Sequence, residues 1–299
     1  MARPVREIAW MRTQTTLRRA VRVSGKGLHS GRTMTATLHP AEPGQGLLFY
    51  RSDVDALIPA VAEEAGRLDY ATSLGPKGRE VGTVEHLLSA AYGIGLDNAV
   101  IAVDGPEVPI VDGSSLPWAE RILAAGLVSQ GAPVEPLTVD RTVTIPAPAG
   151  KHLEIRPARE LRISYSIDFP HPAVGNQSIS LVIDPEAYLE HLAPARTFGF
   201  LAEYDWLRSK GLAQGADETN CIVIGEERVE NGALRFADEF VRHKALDLLG
   251  DLALVGRPVV GHVIAHRAGH ALHAALAAHL RQGVEAEERS TTQSAVAAY

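Results

Sequence analysis

Hydrophobic and polar positions alternate first. Within Thr13 to Pro40, Thr33, Thr35 and Thr37 interleave with Met34, Ala36 and Leu38, the period of a strand facing two environments. The turn GKGLHSG (Gly25 to Gly31) precedes that run. At Thr83 the period changes. Val84, Leu87, Leu88 and Ala91 form an i, i+3, i+4, i+7 apolar face, so a helix with Thr83 as N-cap is expected, stopping near Gly93 and Gly95. A buried-looking strand follows from Asn98 to Val103, then a Gly/Pro loop and a helix from about Pro117 to Leu127. The Pro-rich stretch GAPVEP (Gly131 to Pro136) reads as a boundary.

The second half repeats this order. Strand-like text runs from Leu161 to Phe169 and from Ile179 to Asp184, a helix is expected from near Asp238 to about Leu254, and a strand from Val259 to Ala265. Gly269 then precedes a helix from His270 to about Leu280. The shared order predicts two similar α+β lobes, each packing helices on one face of a sheet, with a site where they meet. The expected division is a flexible extension at 1–12, a first lobe at 13–130, a second lobe at 137–282 and a flexible, polar and Ala-rich tail at 283–299.

Composition narrows the class. With 45% hydrophobic and 22% charged residues the chain is globular, and 299 residues suit two domains. No apolar run approaches the ~20 residues that cross a bilayer. The basic N-terminus lacks the apolar stretch of a secretion signal. A lone cysteine, Cys221, excludes an internal disulfide, so a cytoplasmic protein is expected. A net charge of −7 argues against a general nucleic-acid binder. Twelve histidines beside six phenylalanines hint at metal or proton chemistry.

Two segments carry that hint. In TVEHLL, Glu85 and His86 fall in the first turn of a helix; alone, the pair fits an ordinary surface helix start. In DEFVRHKALDLLGD, His243 and Asp247 are spaced i, i+4 and stack on one side of a helix, with Phe240 and Leu246 ~60° to either side. A polar pair flanked by apolar neighbours needs a partner, which a core His–Asp hydrogen bond or a metal would each supply. Together, His86, His243 and Asp247 make the three mixed N and O ligands of a catalytic zinc site with an open position. Glu85, beside a ligand, could take a proton from a metal-bound water. No H-E-x-x-H is present, which excludes a standard zincin. In HRAGHALH, His270 at a strand-to-helix turn could protonate an amine, and Asp251, two turns beyond His243, could orient it. Lys244 could meet an anionic substrate; a solvated lysine is the plainer reading.

These segments together resemble the zinc-dependent UDP-3-O-acyl-N-acetylglucosamine deacetylases of lipid A biosynthesis. The resemblance is carried by GLHSG (Gly27 to Gly31), TVEHLLSA (Thr83 to Ala90), PEVPIVDGSS (Pro106 to Ser115), ARTFGF (Ala195 to Phe200), EFVRHKALDLLGD (Glu239 to Asp251) and GHALH (Gly269 to His273), in family order from about Thr13 to Leu280. It implies an α+β fold of two similar β-α-α-β lobes with helices packed between two sheets. It implies a second-lobe insert, about 198–224, that encloses an acyl chain. Zinc would be held by His86, His243 and Asp247, with iron(II) suiting the same ligands. Glu85 would act as base, Thr197 as oxyanion donor, and His270, oriented by Asp251, as acid or electrostatic partner. Phe198 would line the site, Lys244 and Arg267 would contact the diphosphate, and Phe169 would stack on uracil. The implied substrate is a UDP-linked acylated glucosamine, met by a monomer without a membrane span, with transient membrane-surface contact and no nucleic-acid partner. Two departures stand out: Lys26 in the first motif, and GLAQGADETN (Gly211 to Asn220) in place of the commoner Gly-Gly-Ser loop. The rival readings are a zinc amidase of the same scaffold with another nucleotide-sugar or acyl substrate, and a metal-holding protein without catalysis.

Overall fold

The computed structural model describes residues 12–297, with side chains through 283. The first half comprises β1 (Thr13–Leu17), β2 (Val21–Lys26), β3 (Thr33–Pro40), β4 (Leu47–Arg51), β5 (Ala56–Pro59), α1 (Glu85–Ile94), β6 (Ala99–Val103), α2 (Leu116–Ala125) and β7 (Leu127–Pro133). The second begins with β8 (Leu137–Thr138), β9 (Val143–Thr144), β10 (His152–Arg156), β11 (Arg162–Phe169), β12 (Gly175–Val182) and α3 (Pro185–His191). It continues with β13 (Phe198–Phe200), α4 (Tyr204–Ser209), β14 (Ile222–Ile224), α5 (Glu239–Leu252), β15 (Val259–Val260), β16 (His262–His266) and α6 (His270–Ala297).

Two five-stranded sheets result, ordered β2-β3-β6-β4-β5 and β9-β10-β16-β11-β12. Strand by strand the polarity is the same: antiparallel, antiparallel, parallel, antiparallel. In both, the central strand follows one helix and precedes another, α1-β6-α2 and α5-β16-α6. The two α+β lobes read from the order of elements are therefore equivalent in topology. The alternation predicted for β3 holds, with Met34, Ala36 and Leu38 buried and the three threonines turned outward. On β11 the same period buries Ile163, Tyr165 and Ile167.

The helices lie against the inner faces of the sheets. α2 packs on β2, α5 on β11 and β12, α6 on β10, and α1 on α2, α3 and α5. Nearly every side chain of α1 and α5 is buried, as expected of helices enclosed on all sides. One apolar cluster joins both lobes. Where α1 and α5 cross, a Cβ on Gly250 would lie 2.1 Å from the Glu85 carbonyl oxygen, so only glycine allows the approach. Gly250→Val is expected to reduce stability by about 1–3 kcal/mol in denaturant unfolding, since neither helix backbone can yield cheaply.

Three boundaries differ from expectation. The N-cap of α1 is Val84, without a side-chain cap bond; Thr83 instead adopts a φ of 54° and donates its hydroxyl to Glu107 Oε1 at 2.8 Å. The first residues of GAPVEP complete β7, which pairs with β1, so the link between lobes narrows to the residues after Pro133. The segment expected as a tail from 283 continues α6 as helix to Ala297. The extension expected at 1–12 lies outside the described residues except for Arg12, which pairs with Asp97 through its two terminal guanidinium nitrogens. The insert expected at 198–224 is a β-α-β unit, β13-α4-β14, with its two strands parallel.

Candidate metal centre

Helix geometry aligns one wall of the centre. His243, Asp247 and Asp251 sit at i, i+4 and i+8 on α5, and their side chains rise along one stripe. Glu85 and His86 open α1 at the crossing with α5, and His270 opens α6. Glu85, His86, His243, Asp247, Asp251 and His270 are all buried.

His86, His243 and Asp247 present three ligand atoms within 4.8 Å of one another. Asp247 Oδ1 lies 3.3 Å from His243 Nε2 and 3.6 Å from His86 Nε2. Donors ~2.1 Å from a tetrahedral zinc stand ~3.4 Å apart, which these distances match. Asp247 Oδ1 is buried without a hydrogen-bond partner, a costly state for a carboxylate oxygen unless a cation meets it. The other atoms of the set are fixed. His243 Nδ1 donates to the Ala195 carbonyl at 3.2 Å, which leaves Nε2 with its lone pair toward Asp247. Lys244 Nζ donates to Asp247 Oδ2 at 2.8 Å and lies over the Phe198 ring. Burial drives the His243 imidazole down to about 3, keeping it neutral against the pull of Asp247. For Asp247 burial opposes ionisation, but the facing His243, once protonated in acid, and the Lys244 ammonium outweigh it and hold the carboxyl well below its usual range. The donor set suits a divalent metal.

Acid and base groups adjoin it. Glu85 Oε2 accepts the Thr72 amide at 3.1 Å, and burial pushes its carboxyl up to about 7 against the lowering effect of His270 and His86. His270 behaves in the opposite way. Burial disfavours its charge, yet Asp251, bonded to Nδ1 at 2.8 Å, raises it to about 9, with Asp247 and Glu85 adding to the rise. Its Nε2 points back to within 3.9 Å of Asp247 Oδ2.

A cavity of about 390 Å³ opens onto this centre, lined among others by Glu85, His86, Thr197, Phe198, His243, Lys244, Asp247 and His270. Two larger clefts, of about 580 and 570 Å³, surround Tyr92 and Gly95 at the other end of α1, away from this acid, base and ligand set. Three sequence candidates fall outside the lining: Asp251, which reaches the cavity only through His270, Phe169 and Arg267. Phe169 packs into an aromatic group with Phe198 and Phe200, and Arg267 extends toward Asp168 at 3.7 Å. Four residues the sequence did not single out line the cavity: Leu68, Asp69, Tyr70 and Lys151.

Other motif residues hold the frame. Buried Glu107 accepts the His29 and Ser30 amides and the Thr83 hydroxyl, each at 2.8 Å, tying the GLHSG turn to the residue that leads into α1. A β-branched residue at positive φ costs about 1–3 kcal/mol, and this bond helps to fix it. Buried Glu239 accepts the Arg196 amide and guanidinium and the Arg235 amide, which sets the backbone at Thr197. The two departures from the family text meet each other. Lys26 and Asp217 pair at 3.4 Å, and the 211–220 loop docks on the GLHSG turn through the Gln214 and Gly215 amides.

Sequence comparison gives an independent result. Residues 14–282 match the family profile described as UDP-3-O-acyl N-acetylglycosamine deacetylase. A protein of Myxococcus xanthus is 46% identical over 263 residues, 87% of this chain and 83% of its own length. One from Solibacter usitatus is 44% identical over 272 residues (90% and 92%), and one from Thermosynechococcus vestitus 45% over 272 (90% and 94%). Each of the three is named UDP-3-O-acyl-N-acetylglucosamine deacetylase.

Proposed function

The chain belongs to the UDP-3-O-acyl N-acetylglycosamine deacetylase family, and from that premise we propose a catalytic assignment for the buried centre: zinc on His86, His243 and Asp247, Glu85 as base, His270 as acid and Thr197 as oxyanion donor. The enzyme is a deacetylase that hydrolyses the N-acetyl group of UDP-3-O-acyl-N-acetylglucosamine in lipid A biosynthesis. The observation that carries the assignment is the partnerless Asp247 Oδ1, facing one imidazole from each lobe at metal-ligand spacing. A divalent ion there would supply Lewis acidity, acidifying a water and polarising the acetamide carbonyl; zinc fits the donors, and iron(II) would too.

The chain's own groups supply the proton transfers and charge stabilisation. Glu85, with one oxygen tied to the Thr72 amide, takes a proton from the attacking water as the new C–O bond forms. Thr197, on the cavity wall, donates toward the oxyanion of the tetrahedral intermediate. As the C–N bond breaks, the nitrogen takes a proton from His270, which Asp251 keeps charged at neutral pH. Acetate and the free amine leave. Lys244 holds Asp247 and, with Lys151, offers positive charge for the diphosphate. Leu201 and Trp206 of the insert are exposed, with Tyr70 across from the indole, and form an apolar rim for the acyl chain. Cys221 is unpaired, in keeping with a reducing cytoplasm, and no helix of the described residues is long and apolar enough to cross a membrane.

Activity on UDP-3-O-acyl-N-acetylglucosamine is expected to vanish with a chelator and return on adding zinc; activity indifferent to chelation contradicts the assignment. Turnover is also expected to fall as pH rises through about 9, where His270 loses its proton. In His270→Ala that alkaline limb should be absent and kcat lower by about 10²–10⁴-fold. A variant that keeps the limb removes His270 from the acid role.

A further inference from the structure

The Asp251 carboxylate is shared. Its Oδ2 lies 2.8 Å from His270 Nδ1 and 2.9 Å from Nδ1 of a second imidazole, His273, one turn along α6. Its Oδ1 accepts the Thr72 hydroxyl at 2.5 Å. Both Nδ1 contacts are at hydrogen-bond distance, shorter than the ~3.4 Å between donors of a tetrahedral metal, so protons rather than an ion join this group.

His273 is buried, and burial holds its imidazole below the ordinary value. A neutral ring bonded to a carboxylate through Nδ1 carries its one proton there and leaves Nε2 as acceptor. Nε2 faces the hydroxyl of buried Tyr165, on β11, at 3.1 Å. The same hydroxyl lies 2.8 Å from the carbonyl of Ala268, two residues before His270, and its single proton is shared between that carbonyl and Nε2. Tyr165 thus touches both the backbone that delivers His270 and the ring that shares its carboxylate.

We propose that His273, steadied by Tyr165, is a positioning residue for the deacetylation: its Nδ1–H fixes the Asp251 oxygen that aims His270 into the cavity. The geometry separates this from plain core packing. Thr72 holds Oδ1, and its hydroxyl also lies 3.1 Å from His270 Nδ1, whereas His273 is the second donor on Oδ2, the oxygen that His270 uses. Without it Oδ2 keeps only His270 as a partner, and the carboxylate and the His270 ring are held on one side alone, by Thr72, while the metal ligands on α5 keep their places.

The proposal rests on the role assigned to His270, and the test separates the two. His273→Leu is expected to lower kcat about 10–100-fold with KM and zinc content close to wild type, the loss usual for removal of a supporting partner. His273→Asn, whose amide N–H can occupy the place of Nδ1–H, should restore most of the rate. Tyr165→Phe should lose less than His273→Leu, because the Asp251 bond survives. In a His270→Ala background His273→Leu should cost nothing further. Wild-type kcat in His273→Leu, equal losses in the Leu and Asn variants, or additive losses in the double variant would each overturn the proposal. Unchanged activity in His270→Ala alone would instead remove the His270 assignment beneath it. If His273→Leu does not fold, the Asn and Phe variants still decide: Asn must keep the rate and Phe must lose part of it.

Discussion

Glu85→Ala is expected to lower kcat by about 10³–10⁴-fold while zinc content, KM and the unfolding midpoint stay near wild type. The carboxylate sits at the first residue of α1, where free amide N–H groups favour a negative charge, yet it is buried and its carboxyl is pushed up to about 7. Such a group is a far better proton acceptor than a solvated glutamate. Among the described residues its one hydrogen bond is from the Thr72 amide, so removing it disturbs little else. Glu85→Gln sharpens the result: it preserves volume and the Thr72 contact, and should lose as much rate because an amide cannot take the proton. A variant within tenfold of wild type would rule out Glu85 as the base.

Asp247→Ala is expected to act one step earlier. The ligand set loses its only oxygen donor and its only negative charge, leaving two imidazoles beside the Lys244 ammonium. Zinc content should fall below about a tenth of an equivalent and activity by more than about 10³-fold, since the Lewis acid goes with the ligand. Thermal unfolding gives a second readout. A metal bound only to the native state raises stability by RT ln(1 + [M]/Kd), so a chelator should lower the Tm of the wild type and leave that of Asp247→Ala unchanged. Equal chelator-induced shifts in both proteins would place the metal elsewhere.

Much of this centre was legible from local spacing. His243 and Asp247 meet because α5 returns to the same face every four residues, and sequence alone reveals that. His86 joined that pair as the third N or O ligand a catalytic zinc needs and not through any spacing, because the α1–α5 crossing that brings it to Asp247 depends on Gly250, which no periodicity marks. Asp184 before Pro185 was an available signal: the aspartate caps α3 by accepting the Ala187 amide, although the text there was read as strand. Thr83 misled for the converse reason. A threonine before an apolar face is an ordinary cap, but Glu107 captures its hydroxyl across the fold. Thr72, Tyr165 and His273 were silent because their partners lie on other elements. The Thr72–Asp251 bond spans 179 positions and the Tyr165–His273 bond 108. Phe169 and Arg267 show the limit from the other side, since both flank the site without lining the cavity.

The most direct test is zinc-edge X-ray absorption on the metal-loaded enzyme, with metal content measured for wild type, His86→Ala and His243→Ala. The account predicts one zinc per chain, coordinated by two imidazoles and by oxygen, without sulfur, and lost when either histidine is removed. Full metal content in either variant, or a sulfur-containing shell, would contradict a metal gripped jointly by the two lobes.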